Sequence, residues 1–276
     1  MTSAFRTFRR HFPVLLAEVV FLCFASGLLA YQRRDARGAQ EEDEEDMPIG
    51  ARQKVEWTFA RFHYDMAYGN FRGFQRWAAD YPKSDRQLVE GVVRLTRINT
   101  HVAEQVVDAH SDDIYNWPWI FVEDPGWWVL SQAEAVRIRT YLLRGGFMFF
   151  DDTHGDAEWN TMAAGVRMIF PDRPFEKLIE DLKDSDELFH TVYDLDNRFQ
   201  IPGTRFIWNG RRYTEDMKVP RWSAIRDDKG RIMVAICHNS DVGDAWEWAD
   251  SPDYPEPATS MAYRIAINYI VYGMTH

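Results

Sequence analysis

The sequence predicts an α/β fold, a three-layer, doubly wound sandwich around a mainly parallel sheet, and three observations carry that expectation. Short apolar runs such as GFMFFDD (146–152) and RIMVAICH (231–238) lack polar alternation, as strands covered on both faces do. Longer stretches with a helical period alternate with them, which is the order of α/β proteins. Polar, acid-rich loops follow the strand candidates, and in open sheets ligands sit at those carboxyl ends.

Taken in order, VEWTFARFHY (55–64) alternates and is aromatic-rich, so it reads as the first strand. Ser84-Asp-Arg-Gln87 is a capping-box pattern ahead of a helical stripe of Leu88, Val89, Val92, Val93 and Leu95. Residues 103–107 form a short strand candidate and WPWIFVE (117–123) a buried one. Ser131-Gln-Ala-Glu134 is a second capping box, opening a helix that should stop at Gly145-Gly146. The 146–152 strand follows, then a helix over 156–169 closed by Pro171. An Asp-Asp-Lys-Gly turn (227–230) precedes the 231–238 strand, and 259–274 is a closing apolar helix. No internal repeat is visible.

The chain has 276 residues, two cysteines and a formal net charge of −11. That length supports a sizeable core, and the cysteine count excludes a disulfide-stapled or cysteine-rich zinc scaffold. The acidity argues against nucleic acid as a partner, because phosphate contacts need a basic footprint. The charge is unevenly spread. Six arginines against Glu18 and Asp35 leave residues 1–40 at +4, EEDEED (41–46) carries −6, and 47–276 hold −9. Residues 13–30 are apolar except for Glu18, so 1–30 reads as a hydrophobic helix serving as signal peptide or membrane anchor. If it is uncleaved, 13–30 is the membrane contact. Residues 31–50 read as a disordered acidic linker and 51–276 as a single α/β domain. The expected location is anchored at the membrane facing the periplasm or exterior, or secreted to the periplasm after cleavage.

The strand order gathers polar residues at one sheet edge: His63 and Asp65, Glu123-Asp124, Asp151-Asp152-Thr153-His154, and His238-Asn239-Ser240-Asp241. Asp151, Asp152 and His154 form the strongest local cluster, and three readings stand side by side. Asp152 and His154 act as an acid–base pair; or the cluster is a divalent-metal site, with His154 as a ligand, completed by His63, Asp65, His238 or Asp241; or Asp152 caps the next helix while His154 bonds to backbone. Asp151, Asn239, Asp244 and Trp246 are candidate ligand-binding residues. Among the tryptophans, most are expected in the core, with Trp246 or Trp248 exposed to stack on a sugar ring. His190 reads as a satisfied buried histidine.

Several segments, in order and spacing, resemble the bacterial domain of unknown function 4159 family: FHYD (62–65), YLLRGGFMFFDDTHGDAEW, MIFPDRP, LFHTVYDL, IPG (201–203), AICHNSDVGDAWEW and YRIAINYIVYGMTH. The resemblance spans 52–276. It implies a flavodoxin-like sheet akin to class I glutamine amidotransferases and trehalose-utilisation-type sugar proteins, often behind a signal or anchor, and it implies no activity. Amidotransferase relatives place a nucleophilic cysteine on a strand-to-helix elbow. Cys237 lacks the small flanking residues such an elbow needs, and adjacent His238 points to the opposite strand face. Two functions are therefore expected to compete. One is a ligand-binding or assembly module of the bacterial envelope, partnered by envelope proteins or a small polar ligand such as a carbohydrate. The other is a hydrolase of amides or carbohydrates using Asp152 and His154, with or without a divalent metal.

Overall fold

Five parallel and two antiparallel strands form the main sheet of the computed structural model, which describes residues 55–66 and 75–276. The chain divides after Ile49 into two units, and everything described belongs to the second, Gly50–His276. The apolar segment 13–30 and the acidic linker lie outside the described residues. Among the described residues, no helix is long and apolar enough to cross a membrane.

The parallel strands are β1 (Ala60–Phe62), β3 (Gln105–Val107), β4 (Trp119–Glu123), β6 (Phe147–Thr153) and β9 (Ile232–His238). Antiparallel β8 (Arg221–Arg226) and β7 (Glu180–Asp181) extend one edge, giving the order β3-β1-β4-β6-β9-β8-β7. A separate antiparallel ribbon joins β2 (Asp65–Met66) to β5 (Trp128–Val129). The helices are α1 (Lys83–Leu95), α2 (Gln132–Leu143), α3 (Gly155–Ile169), α4 (Thr204–Ile207), α5 (Val242–Glu247) and α6 (Glu256–Thr275).

Strand period sorts the core into two layers. On one face Trp119 and Phe121 of β4, Phe147 and Phe149 of β6, and Cys237 pack against α1, α5 and α6. On the other, Ile120, Val122, Met148, Phe150 and Ile236 pack against α2 and α3. Because β4, β6 and β9 are buried along their whole lengths, their continuous apolar runs are explained.

Several expectations change in detail. The first strand contracts to Ala60–Phe62, because the chain then leaves the sheet to pair β2 with β5. The Ser84 capping box is not made; Pro82 occupies the N-cap position without a side-chain bond, and Ser84 and Asp85 turn inward to Arg61. The Ser131 box forms with both reciprocal bonds. Val93 and Leu95 are exposed, so the buried α1 stripe is Leu88, Val89 and Val92. The 227–230 turn joins β8 to β9 as a hairpin, which makes RWSAIR a strand that its polar composition had hidden. His190 is satisfied, by Asp194 and the Asp184 carbonyl, yet lies on the surface.

Candidate functional site

Period 2 also carries charge to the sheet's carboxyl edge. Glu123 shares a face with Phe121, Asp151 with Phe149, and Arg61 with Phe59. Glu123 and Asp151 are register partners on adjacent strands. Here α1 and α5 meet the sheet, so these charges are enclosed instead of solvated.

Arg61 is fully buried and donates to Asp85 through Nε, to Ser84 Oγ and Asp85 through Nη2, and to the Trp77 and Ala79 carbonyls through Nη1. Those carbonyls belong to the turn that presents Asp80. Arg61 Nη1 also stands 3.8 Å from Glu123 Oε2. Asp151 Oδ2 accepts the Val242 and Gly243 N–H groups at 2.7 and 2.8 Å, closing the first turn of α5. Asp241 is the N-cap of α5, its Oδ1 accepting from Asp244 N–H at 2.9 Å. Asp244 Oδ2 accepts from the backbone and hydroxyl of Thr204.

Asp152, the penultimate residue of β6, has a left-handed conformation and faces the segment that carries α4. Arg205 Nη2 donates to Asp152 Oδ1 at 2.6 Å, and His154 Nδ1 lies 3.0 Å from that oxygen and 2.6 Å from Arg205 Nη2. His154 Nε2 is buried with no hydrogen-bond partner. Phe206 lies tilted beside its ring at 5.2 Å, and Tyr213 stacks on Phe206 at 3.8 Å.

The carboxylates repel one another where water cannot screen them. Burial, then Asp80 and Asp152, push Glu123 well above the ordinary carboxyl range, with Arg61 opposing. Burial and neighbouring acids likewise raise Asp80, Asp124, Asp151 and Asp241. Asp152 behaves oppositely: burial would raise it, but Arg205 and then His154 outweigh burial and hold it below its ordinary value. Burial, His154 and Arg221 push His238 down to about 3.

The predicted residues are thus distributed over several roles. Asp151, Asp152, His154, Asp241 and Asp244 stand in the edge cluster. Asn239 is spent on structure, its amide donating to the Asp216 and Val219 carbonyls and its Oδ1 accepting from Gly155 N–H. His238 bonds Thr153 Oγ1 and packs on Trp159. His63 packs edge-on to Trp77, and Asp65 is exposed on β2. Trp246 is a correction: it is 0 % exposed and packs on Phe59, Phe121 and Phe149, because α5 turns that face onto the sheet. Trp208, at 40 % exposed, is the accessible indole instead, edge-on to half-buried Trp248 at 4.7 Å. Burial, then Asp151, raise the fully buried Cys237 thiol, which keeps it protonated.

Among the described residues, two groups bring three carboxylates to metal-binding spacing: Asp80, Glu123 and Asp241, and Asp80, Asp244 and Glu247. Neither contains His63, Asp65, His154 or His238. Sequence reasoning missed Asp80, Arg61 and Arg205 as members of this edge. Alternation along β1 carries a signal for Arg61; Asp80 arrives on a turn and Arg205 on the four-residue α4, neither with a local signal.

The model of one protein family, Domain of unknown function (DUF4159), matches residues 58–274. No curated protein matches the chain.

Proposed function

The chain belongs to the DUF4159 family, and from that premise we propose a ligand-binding domain whose site is the carboxyl edge of a doubly wound, class I glutamine amidotransferase-like sandwich. Counting only the parallel strands in chain order, the sheet runs 2-1-3-4-5, the flavodoxin-like order. Such sheets bind ligands where the order reverses, which here is the gap between β1 and β4, beside Arg61 and Glu123. One observation carries the reading. Among the described residues, the non-glycine residues with positive φ are Asp80, Asp124, Asp152 and Asn239, and all four border this edge. Such backbone is uncommon outside glycine, is entered most readily by Asp and Asn, and collects at functional sites. The ligand is small and polar, a carbohydrate being the best match to acid, imidazole and guanidinium groups on one rim. Glucose, trehalose and N-acetylglucosamine serve as probes. At least one is expected to give saturation-transfer NMR signals with the wild type and none with Arg205→Ala; silence across the panel with wild type overturns the carbohydrate reading.

A hydrolase of amides or carbohydrates is favoured by a different observation, the unpartnered Nε2 of His154 on a ring held beside Asp152. An Asp-oriented imidazole with a free nitrogen can accept a proton from water. Turnover of a chromogenic glycoside or amide that His154→Gln abolishes would select this reading over binding alone.

Residues 13–30 are proposed to bring the domain to the bacterial envelope, where envelope proteins are its partners. A fusion of residues 1–40 to a reporter active only in the periplasm should be active; retention in the cytoplasm would refute that location.

A further inference from the structure

The carboxyl edge holds more negative charge than its cations balance. Glu123 is 0 % exposed, and neither of its carboxylate oxygens has a hydrogen-bond donor; its nearest cation is Arg61, 3.8 Å away. Asp151 Oδ1 is a third buried oxygen without a donor. A buried carboxylate with no donor is costly, and the remaining ways to compensate it are a proton or a cation.

The geometry selects the cation. One carboxylate oxygen each from Asp80, Glu123 and Asp241 lies within 4.8 Å of the other two. Oxygens bound to one hard divalent ion at about 2.0–2.6 Å are at most about 4–5 Å apart, so this set accepts an ion with little movement. The three residues come from three elements: the turn before α1, the end of β4 and the N-cap of α5. Backbone clears the space as well. A Cβ on Gly243 would stand 2.9 Å from Asp80 Oδ2 and 3.0 Å from Glu123 Oε2, so a larger residue there would displace both carboxylates from their places. The donors are all oxygen, without thiolate or imidazole, which favours Mg²⁺, Mn²⁺ or Ca²⁺ over Zn²⁺.

We infer that Asp80, Glu123 and Asp241 bind one hard divalent cation at the β1–β4 gap. The inference rests on the carboxyl edge being the ligand site, and it names what the edge binds first. Asp244 and Glu247 share Asp80 in the second carboxylate group, and a cation held by three protein ligands keeps open positions for oxygens of a polar ligand.

The test uses full-length protein stripped with EDTA and titrated with MnCl₂ or CaCl₂, read by calorimetry and, for Mn²⁺, by loss of the free-ion EPR signal. One ion per chain is expected. The variants are Glu123→Gln, Asp80→Asn and Asp241→Asn; Asn tolerates the left-handed turn and remains a good N-cap, so each keeps its backbone preference. Each should weaken Mn²⁺ binding at least ~10-fold. In Glu123→Gln the Tm in EDTA should not fall, while the rise on adding CaCl₂ disappears. No binding at millimolar cation, or equal affinity in wild type and all three variants, overturns the inference. The sugar panel is repeated in EDTA: sugar signals without cation binding overturn only the cation site, whereas cation binding without any sugar signal supports the site and removes the carbohydrate reading.

Discussion

Arg61 sets the terms at the scale of single residues. A guanidinium without solvent must satisfy five N–H groups, and here Asp85, Ser84 and the Trp77 and Ala79 carbonyls take all of them. The same side chain therefore anchors α1, holds the turn bearing Asp80 and supplies the nearest positive charge to Glu123. Lysine could not substitute, since an ammonium has three donors on one atom, whereas the planar fork places five N–H groups on four partners. Removing one member of a buried ion pair costs about 3–5 kcal/mol, because the other is left charged and dry. Arg61→Met is accordingly expected to lose that much stability in urea unfolding, with part regained in Arg61→Met/Asp85→Asn. A loss below ~1 kcal/mol in the single variant would show that Arg61 is dispensable to the fold. The importance of Arg61 was half legible: alternation along β1 puts it beside Phe59, facing inward. Arg205 was not legible, since nothing local marks an arginine of the short α4 as the partner of an aspartate 53 residues earlier.

At the scale of elements, the two capping boxes show what a local pattern can and cannot decide. Ser131 and Glu134 make both bonds, and the neighbouring His110 Nε2 approaches only the other Glu134 oxygen, at 3.3 Å. Ser84 has the same pattern, but Arg61 offers a buried charged donor, and that outweighs a cap of about 1 kcal/mol. Strands β4, β6 and β9 were legible because burial on both faces removes polar residues from them. Strand β8 was not, because only the two-residue β7 covers its outer side, so its ends carry Arg221 and Arg226 to Asp181 and Glu180 and break the apolar run. Close packing between elements is equally hidden from composition, and Gly165 in α3 illustrates it. A Cβ there would stand 2.4 Å from Trp128 Nε1, and the indole is held edge-on against Phe150 at 5.2 Å. Helix propensity alone would make Gly165→Ala stabilising by about 1 kcal/mol, whereas overpacking costs about 1–3 kcal/mol. The clash involves a rigid ring, so overpacking should win. Thermal unfolding of Gly165→Ala is expected to show a lowered Tm, and a raised one would mean that α3 slides freely over Trp128.

For the whole molecule, two apolar layers support one charged edge, and the two kinds of titrating group there oppose each other. Carboxyls raised in the fold, among them Glu123, Asp151 and Asp241, contribute stability below their unfolded pKa of about 4 and lose it as pH rises. His238 works the other way. Burial, His154 and Arg221 keep it neutral down to about 3, Asp216 opposing, while in the unfolded chain it takes a proton near 6.5. Its contribution is complete above 6.5 and disappears as pH falls through that window, at up to about 1.4 kcal/mol per pH unit. Between about 4 and 6.5 the two slopes therefore partly cancel in the wild type. His238→Gln removes one of them and leaves a side chain able to keep the bond to Thr153. In EDTA, its stability should climb steadily as pH drops from 6.5 toward 4, whereas the wild-type profile stays flatter. Urea unfolding at half-unit pH steps measures both curves. If they run parallel, His238 is not the group that offsets the acidic edge, and its neutral burial carries no weight in the molecule's pH response.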